Sequence, residues 1–299
     1  MSLGIMIKGS EGVVLAADSR VTLLNQFQQP MPNLPPGAQV PIMLIPATFD
    51  NATKVLTAAG QDFIGAVTFG IGALITASGP RTMQSFIPEF EKELEGTETK
   101  RLSVKEFAEK LSAFFLARWN EHVKRPANPG EEINFLVGGY DEGAAYGRAF
   151  GFAIPNNATP AEQNAGPGQF GITWGGQNDV ASRLLNGYDL GLLQFLQSSM
   201  NVPADRIIAV KQQLDMRLAA GIPYQFLPLQ DCVDLATFLI KSTIEFQKFR
   251  TTVRGVGGHV EVATVTRDRG FQFVSRRKLT GSKENDYGNA KSRDVLTKL

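Results

Sequence analysis

Few side chains in this sequence have the chemistry of a metal ligand or a reactive thiol. The chain contains two histidines, His122 and His259, and one cysteine, Cys232. The histidines lie far apart, and no group of histidine, cysteine and aspartate has the spacing of a metal site. Cys232 lies in a helical stretch near Leu235 and Leu239, so we expect a buried, unreactive thiol. The sequence therefore predicts neither a metal nor another cofactor.

Nucleotide and membrane partners are also not indicated. Gly70-Ile71-Gly72 lacks the rest of a dinucleotide fingerprint, and Gly175-Gly176-Gln177 lacks the lysine of a phosphate loop. The formal net charge is +1, so no basic excess favours nucleic acid or anionic lipid. No apolar run approaches the roughly 18–20 residues that cross a bilayer, and no secretory signal opens the chain. A single cysteine permits no internal disulfide, which suits a reducing compartment, and we expect a cytoplasmic protein.

The elements that would position a site begin with two apolar runs. Residues 4–8 and 12–18 flank a Gly-Ser-Glu-Gly turn, which predicts a β-hairpin. The second run is apolar on both faces, so we expect its strand to be buried between layers. Residues 24–51 hold six of the sixteen prolines, and we expect a long loop or excursion there.

The rest of the chain predicts blocks of strands and helices. Ser103 and Glu106 form a capping-box pattern ahead of a helix with one buried face. Strands are expected at 53–58, 62–69, 133–140, 145–153, 169–174, 259–266 and 271–276, and a Gly/Pro/Asn-rich connection at 155–168. Helices are expected at 81–95, where the helix is bent or begins near Pro88, and at 179–185, 190–200, 204–218 and 228–250. This order favours one α+β domain over residues 1–276, with helices layered on antiparallel sheets, and a polar tail at 277–299.

One segment resembles a known family. Residues 12–22 read Gly-Val-Val-Leu-Ala-Ala-Asp-Ser-Arg-Val-Thr, which closely resembles the second strand of proteasome β-type subunits. Four later segments resemble further parts of that family in the same order: Thr53-Lys54-Val55, Phe135 to Asp141, Gly175-Gly176, and Gly257 to Gly270. The resemblance covers roughly residues 4–276. It implies the N-terminal-nucleophile hydrolase fold, a four-layer αββα sandwich of two antiparallel sheets.

The resemblance also implies a set of catalytic residues. In that family the nucleophile is a free N-terminal threonine whose own α-amine is the base, and an aspartate and a lysine set the charge around it. Asp18 and Lys54 occupy those two positions, and a lysine in an apolar strand needs such a partner. Ser2 takes the place of the nucleophile once Met1 is removed. The alternative is that residues 1–3 are a cloning remnant.

Other family positions are matched less closely. The oxyanion donor is a backbone N–H that falls near Phe69 or Gly70, and a backbone donor survives side-chain change. The polar residues that orient the N-terminus in the family are replaced here by Val253, Val256 and Gly176.

Three functions follow from the resemblance. The first is a proteasome-like amide-bond hydrolase, acting on peptides through Ser2, Asp18, Lys54 and Gly70. The second is a non-catalytic, proteasome-like structural subunit, favoured by the two valines. The third is an amidase of the same superfamily that acts on a small molecule. For each, we expect a homo-oligomer, with a ring-like assembly as the family's form.

Overall fold

The computed structural model describes residues 2–28, 42–95, 101–128, 130–166 and 168–278. This part of the chain has an α+β fold with several antiparallel sheets and six helices. Its strands are β1 (Leu3–Lys8), β2 (Val13–Asp18), β3 (Val21–Gln28), β4 (Ile42–Phe49), β5 (Val55–Leu56), β6 (Ile64–Gly70), β7 (Ala73–Thr76), β8 (Gly79–Thr82), β9 (Ile133–Gly139), β10 (Arg148–Ile154), β11 (Asn157–Glu162), β12 (Gly171–Gly176), β13 (Val260–Thr266) and β14 (Gly270–Ser275). Its helices are α1 (Ile87–Glu95), α2 (Val104–His122), α3 (Asp179–Asn186), α4 (Gly191–Ser198), α5 (Ala204–Leu218) and α6 (Leu229–Gln247).

Two five-stranded sheets form the centre of the molecule. The first has the strand order β12-β1-β2-β13-β14, and the second has the order β11-β10-β9-β6-β5. Every strand pairing among the described residues is antiparallel. The predicted hairpin is confirmed as β1 and β2, and β2 lies in the middle of its sheet. Asp18 therefore ends a fully buried central strand.

Three apolar clusters show how the layers are stacked. Along β2, Val14 and Ala16 face a cluster shared with α3 and α6, whereas Val13 and Leu15 face a cluster shared with the second sheet. The alternation follows from the two-residue period of a strand. On its other face the second sheet packs against α1 and α2, as in the contact of Phe135 with Phe115. The order of packing is thus helices, sheet, sheet, helices, which is compatible with a sandwich.

Two predicted helices begin as their sequences indicate. Ser103 caps α2, with its hydroxyl accepting from the Glu106 N–H while the Glu106 carboxylate accepts from the Ser103 N–H, so the predicted capping box is confirmed. The helix predicted from residue 228 begins one residue later, with Pro228 as the N-cap residue of α6. No helix in the described ranges is long and apolar enough to cross a membrane.

Three strands lie where the sequence predicted other structure. The proline-rich stretch 24–51 was expected to be a loop, but β3 and β4 pair as a two-stranded ribbon, and residues 29–41 lie outside the described residues. Pro46 fits within β4 because a two-stranded ribbon has a free edge on which no N–H is needed. The expected connection at 155–168 contains β11, an edge strand that likewise tolerates Pro160.

The helix predicted over residues 81–95 begins near Pro88, which was one of the two expectations for this segment. Residues 73–82 form the hairpin of β7 and β8, a 3-10 turn follows at Met83–Phe86, and α1 begins only at Ile87. Pro88 stands in the first turn of α1, where a proline is tolerated because its missing N–H would have no intrahelical partner. Most of the expected tail, residues 279–299, lies outside the described residues.

Candidate active site

The Asp18 carboxylate is the centre of the candidate site. It is fully buried at the end of β2. Its Oδ1 accepts hydrogen bonds from the Lys54 Nζ at 2.9 Å and from the Leu3 N–H at 3.0 Å. Its Oδ2 accepts from the N–H groups of Gly257 and Arg20, at 3.0 and 3.1 Å. Four donors from four chain segments therefore stabilise the negative charge in the interior.

Lys54 lies immediately before β5 and points its ammonium group into the interior. Its side chain is 5% exposed and forms the expected ion pair with Asp18. A second hydrogen bond runs from Nζ to the Arg20 carbonyl oxygen at 2.5 Å. Burial lowers the pKa of Lys54, and the neighbouring Asp18 carboxylate opposes that shift. The positive charge of Lys54, held in this position, shifts the pKa of any ionisable group beside it.

Glu261 is a buried carboxylate that the sequence analysis did not single out. It lies in β13 and accepts hydrogen bonds from the backbone N–H groups of Lys54 and Val55, at 2.9 and 3.4 Å. Burial raises the pKa of Glu261 above its ordinary value. The available signal was a charged residue between Val260 and Val262 in an otherwise apolar strand. Glu261 fixes the backbone from which the Lys54 side chain extends.

Ser2 lies beside this charged pair. It is buried, and its Oγ accepts a hydrogen bond from the Gly70 N–H at 3.1 Å. Its carbonyl oxygen accepts from the Gln177 N–H at 2.8 Å. Because the next residue, Leu3, donates its N–H to Asp18, the backbone of Ser2 is fixed on both sides.

Gly70 supplies the donor because its backbone has an unusual conformation. Its φ angle is +97°, in the region that favours glycine. A Cβ atom here would also clash with the Glu132 carbonyl oxygen. Gly70 ends β6, and this turn of the backbone leaves its N–H free to point at Ser2 rather than into the sheet.

Two cavities meet at Ser2. A narrow one of about 10 Å³, the space of roughly one water molecule, is lined by Ser2, Lys54, Thr68 and Met83 among others. A broad cleft of about 850 Å³ also includes Ser2, together with Gly70, Trp174 and Gln177. Ser2 therefore lies between a wide opening, where an extended ligand fits, and a narrow recess that ends at the ammonium-bearing residue.

No protein-family model matches this chain, and no curated protein matches it. The chemistry is therefore inferred from the residues themselves. They combine a hydroxyl, a backbone donor 3.1 Å from it and a buried ion pair.

Val253, Val256 and Gly176, which stand where the proteasome family has polar residues, lie in different surroundings. Val256 is buried in the cluster against α6, and its N–H donates to the Gln247 side chain at 3.2 Å. Val253 is 37% exposed. Gly176 has a φ angle of +94°, and a Cβ atom there would clash with the Ser2 carbonyl oxygen, so no larger residue fits this strand pairing. Neither valine offers a polar side-chain atom to an N-terminal amine.

The remaining candidates lie apart from this site. Burial raises the pKa of Cys232 to about 11, as expected for an unreactive thiol. His122 contacts Phe86 beside α2, and the His259 Nε2 lies 2.9 Å from the Ser275 Oγ. Within the described ranges, no group of three or more histidine, cysteine, aspartate or glutamate side chains could hold a metal ion.

Proposed function

We propose that this protein is a proteasome-like amide hydrolase that cleaves peptides with Ser2 as an N-terminal nucleophile. One observation carries the proposal. The Ser2 hydroxyl lies 3.1 Å from the Gly70 N–H, while the adjoining Leu3 N–H is bonded to the carboxylate that holds Lys54. A nucleophile, an oxyanion donor and a buried cation are thus concentrated around one residue near the start of the chain.

The packing order supports the fold that this function requires. Helices, two antiparallel sheets and further helices follow one another, as in the four-layer αββα sandwich of N-terminal-nucleophile hydrolases. The strand that ends at Asp18 is central, and β1, which follows Ser2, and β6, which ends at Gly70, belong to different sheets. In this proposal the site is formed where the two sheets meet.

The reaction starts when Ser2 is the first residue and has a free α-amine. The amine takes the hydroxyl proton, and the Oγ attacks the carbonyl carbon of the scissile amide. The Gly70 N–H donates to the resulting oxyanion. The carbon–nitrogen bond then breaks, the amine returns the proton to the leaving nitrogen, and an ester to Ser2 remains. Water, deprotonated by the same amine, hydrolyses that ester and restores Ser2.

Lys54 and Asp18 act on this reaction through charge. A cation near the α-amine disfavours its protonated form, which keeps the amine neutral and able to accept a proton near pH 7. Asp18 pairs with the cation and so reduces the cost of burying it. Glu261 fixes the backbone of Lys54 through two N–H groups and thereby its position.

A non-catalytic structural subunit is the second candidate. It is favoured by Val253 and Val256, whose side chains give a terminal amine no polar support. The ion pair argues against it, because burying Asp18 and Lys54 is expensive and assembly alone gives no reason to retain them.

Exposed aromatic side chains support the assembly that either candidate would form. Phe238 and Phe246 on α6 and Phe249 just beyond it are 54%, 43% and 87% exposed. Large exposed apolar side chains that lie in one part of the chain suit a protein contact. We propose a homo-oligomer, which light scattering at micromolar concentration tests; a particle of 32.5 kDa contradicts it.

The decisive experiment compares two N-terminal forms of the same chain. One retains Met1, and the other begins at Ser2, with both termini verified by mass spectrometry. We expect hydrolysis of a peptide-amide library only by the form that begins at Ser2, because a preceding residue converts the basic amine into an amide. Ser2→Ala in that form should abolish activity, whereas Ser10→Ala, in the turn after β1, should not. Equal activity in both forms excludes the mechanism, and no activity in either favours the structural subunit.

A further inference from the structure

Several buried polar atoms around Ser2 have no hydrogen-bond partner. In the part of the chain that the structure describes, these include the Oγ1 atoms of Thr22 and Thr68 and the Oε1 of Gln177. Thr68 lines the narrow cavity beside Ser2, and Thr22 and Gln177 line the broad cleft. A buried acceptor without a donor costs about 1–3 kcal/mol, so each such atom calls for an explanation.

Gln177 stands out because the strand register places it directly opposite Ser2. Strands β1 and β12 pair with Leu3 opposite Gly176, and the Gln177 N–H donates to the Ser2 carbonyl oxygen at 2.8 Å, which extends this register by one residue. Gln177 is therefore the cross-strand neighbour of Ser2, and both residues line the broad cleft.

The backbone geometry places the Ser2 nitrogen on the same side. In an antiparallel pair, the N–H and C=O of one residue point toward the same neighbouring strand. Since the Ser2 carbonyl oxygen faces the Gln177 backbone, the Ser2 nitrogen faces that backbone too. An acceptor without a donor and a nitrogen that becomes a free amine thus belong to the same cross-strand pair of residues.

We propose that the Oε1 of Gln177 accepts a hydrogen bond from the α-amine of Ser2 when Ser2 is the first residue. This bond uses one amine N–H and leaves the nitrogen lone pair available for the Ser2 hydroxyl proton. Gln177 is then a positioning residue just beyond β12 that supplies the polar support which the side chains of Val253 and Val256 lack. The inference deepens the proposed function and rests on it.

Two substitutions in the form that begins at Ser2 test this assignment. Gln177→Met keeps the length of the side chain but removes the amide oxygen, and we expect kcat to fall about tenfold while KM changes little. Gln177→Glu places an anion beside the amine, which should raise the amine pKa by about one to three units and move the acidic limb of the kcat profile to higher pH. Gln213→Glu, on an exposed part of α5, is the matched charge control.

A readout independent of catalysis separates this inference from the proposed function. The pKa of the Ser2 amine can be measured from the pH dependence of its acetylation, followed by mass spectrometry of the N-terminal peptide. A raised amine pKa in Gln177→Glu, with Gln213→Glu unchanged, supports the contact even if no form hydrolyses a peptide. An amine pKa that is the same in Gln177→Glu and in the unsubstituted protein overturns it, whatever the activity. Thermal unfolding of each variant verifies that the fold is retained.

Discussion

Replacing Lys54 with methionine tests the buried pair by removing its cation. Methionine fills a volume similar to that of the lysine stem but leaves the Asp18 carboxylate, which is fully buried, without its ionic partner. Hydrolysis should be lost in the form that begins at Ser2, because the cation that keeps the amine neutral is gone. Stability should fall as well, because a buried charge loses its counter-ion.

The size of the expected loss of stability depends on the hydrogen bonds that Asp18 keeps in the variant. Breaking a buried ion pair by removing one partner typically costs about 3–5 kcal/mol. Asp18 still accepts from the N–H groups of Leu3, Arg20 and Gly257 in the variant, so we expect the lower end, about 3 kcal/mol. The free Arg20 carbonyl oxygen adds to the cost, since it loses its Lys54 donor.

Urea unfolding of the variant and of a matched control measures this value. The control is Lys105→Met, which removes an exposed lysine 3.7 Å from Glu109 and should change the free energy of unfolding by no more than about 0.5 kcal/mol. If the free energy of unfolding of Lys54→Met is within about 0.5 kcal/mol of that of the original protein, the electrostatic reasoning is refuted, because breaking a fully buried ion pair costs more than this. Retained peptide hydrolysis by that variant would refute the role of the cation.

Three further predictions concern single positions. Gly70→Ala should lower both stability and kcat, because the new Cβ atom would clash with the Glu132 carbonyl oxygen and displace the Gly70 N–H donor. The control is Gly60→Ala, which is also at positive φ but in open space. By thermal unfolding it should cost only about 1 kcal/mol of stability, and kcat should be unchanged. Glu261→Gln should stabilise the protein at pH 7 but not below pH 4. Because the pKa of Glu261 is raised in the folded state, its contribution to stability is complete only below the unfolded-state pKa and is lost as the pH rises through the folded-state pKa. A difference in melting temperature that does not change with pH would contradict this. Cys232, whose pKa is raised to about 11, should resist a thiol reagent at pH 8 in the native protein and react after unfolding, and rapid native labelling would show that it is accessible.

Sequence patterns predicted the central elements well because local and tertiary preferences agree there. The apolar runs of β1 and β2 flank a turn with the appropriate residues, and the pair of Asp18 and Lys54 follows from the cost of an isolated buried charge. The bounds of α5 match those predicted, since its helical pattern is uninterrupted. Whether the site residues are catalytic stays a prediction, as do the cytoplasmic location and the homo-oligomer.

The patterns failed where strand pairing overrides composition. Proline counts favoured loops at β3–β4 and β11, but these strands lie at sheet edges or in a two-stranded ribbon, where a missing N–H costs little. Glu261 and Gln177 were missed for a different reason. Their significance depends on which residue lies opposite them across a strand or a sheet, and that register is a property of the fold rather than of any local segment.

The four bonds to Asp18 have a consequence for when the site can exist during synthesis. The donors come from Leu3, Arg20, Lys54 and Gly257, and the most distant of them, Gly257, lies 239 positions from Asp18 along the chain. A ribosome-bound chain that has not yet extended past residue 257 lacks one of these donors and lacks β13, the neighbour of β2. The bonds to Asp18 are therefore complete only after β13 has been synthesised and has paired with β2, so under the proposed function a shorter nascent chain carries no assembled site.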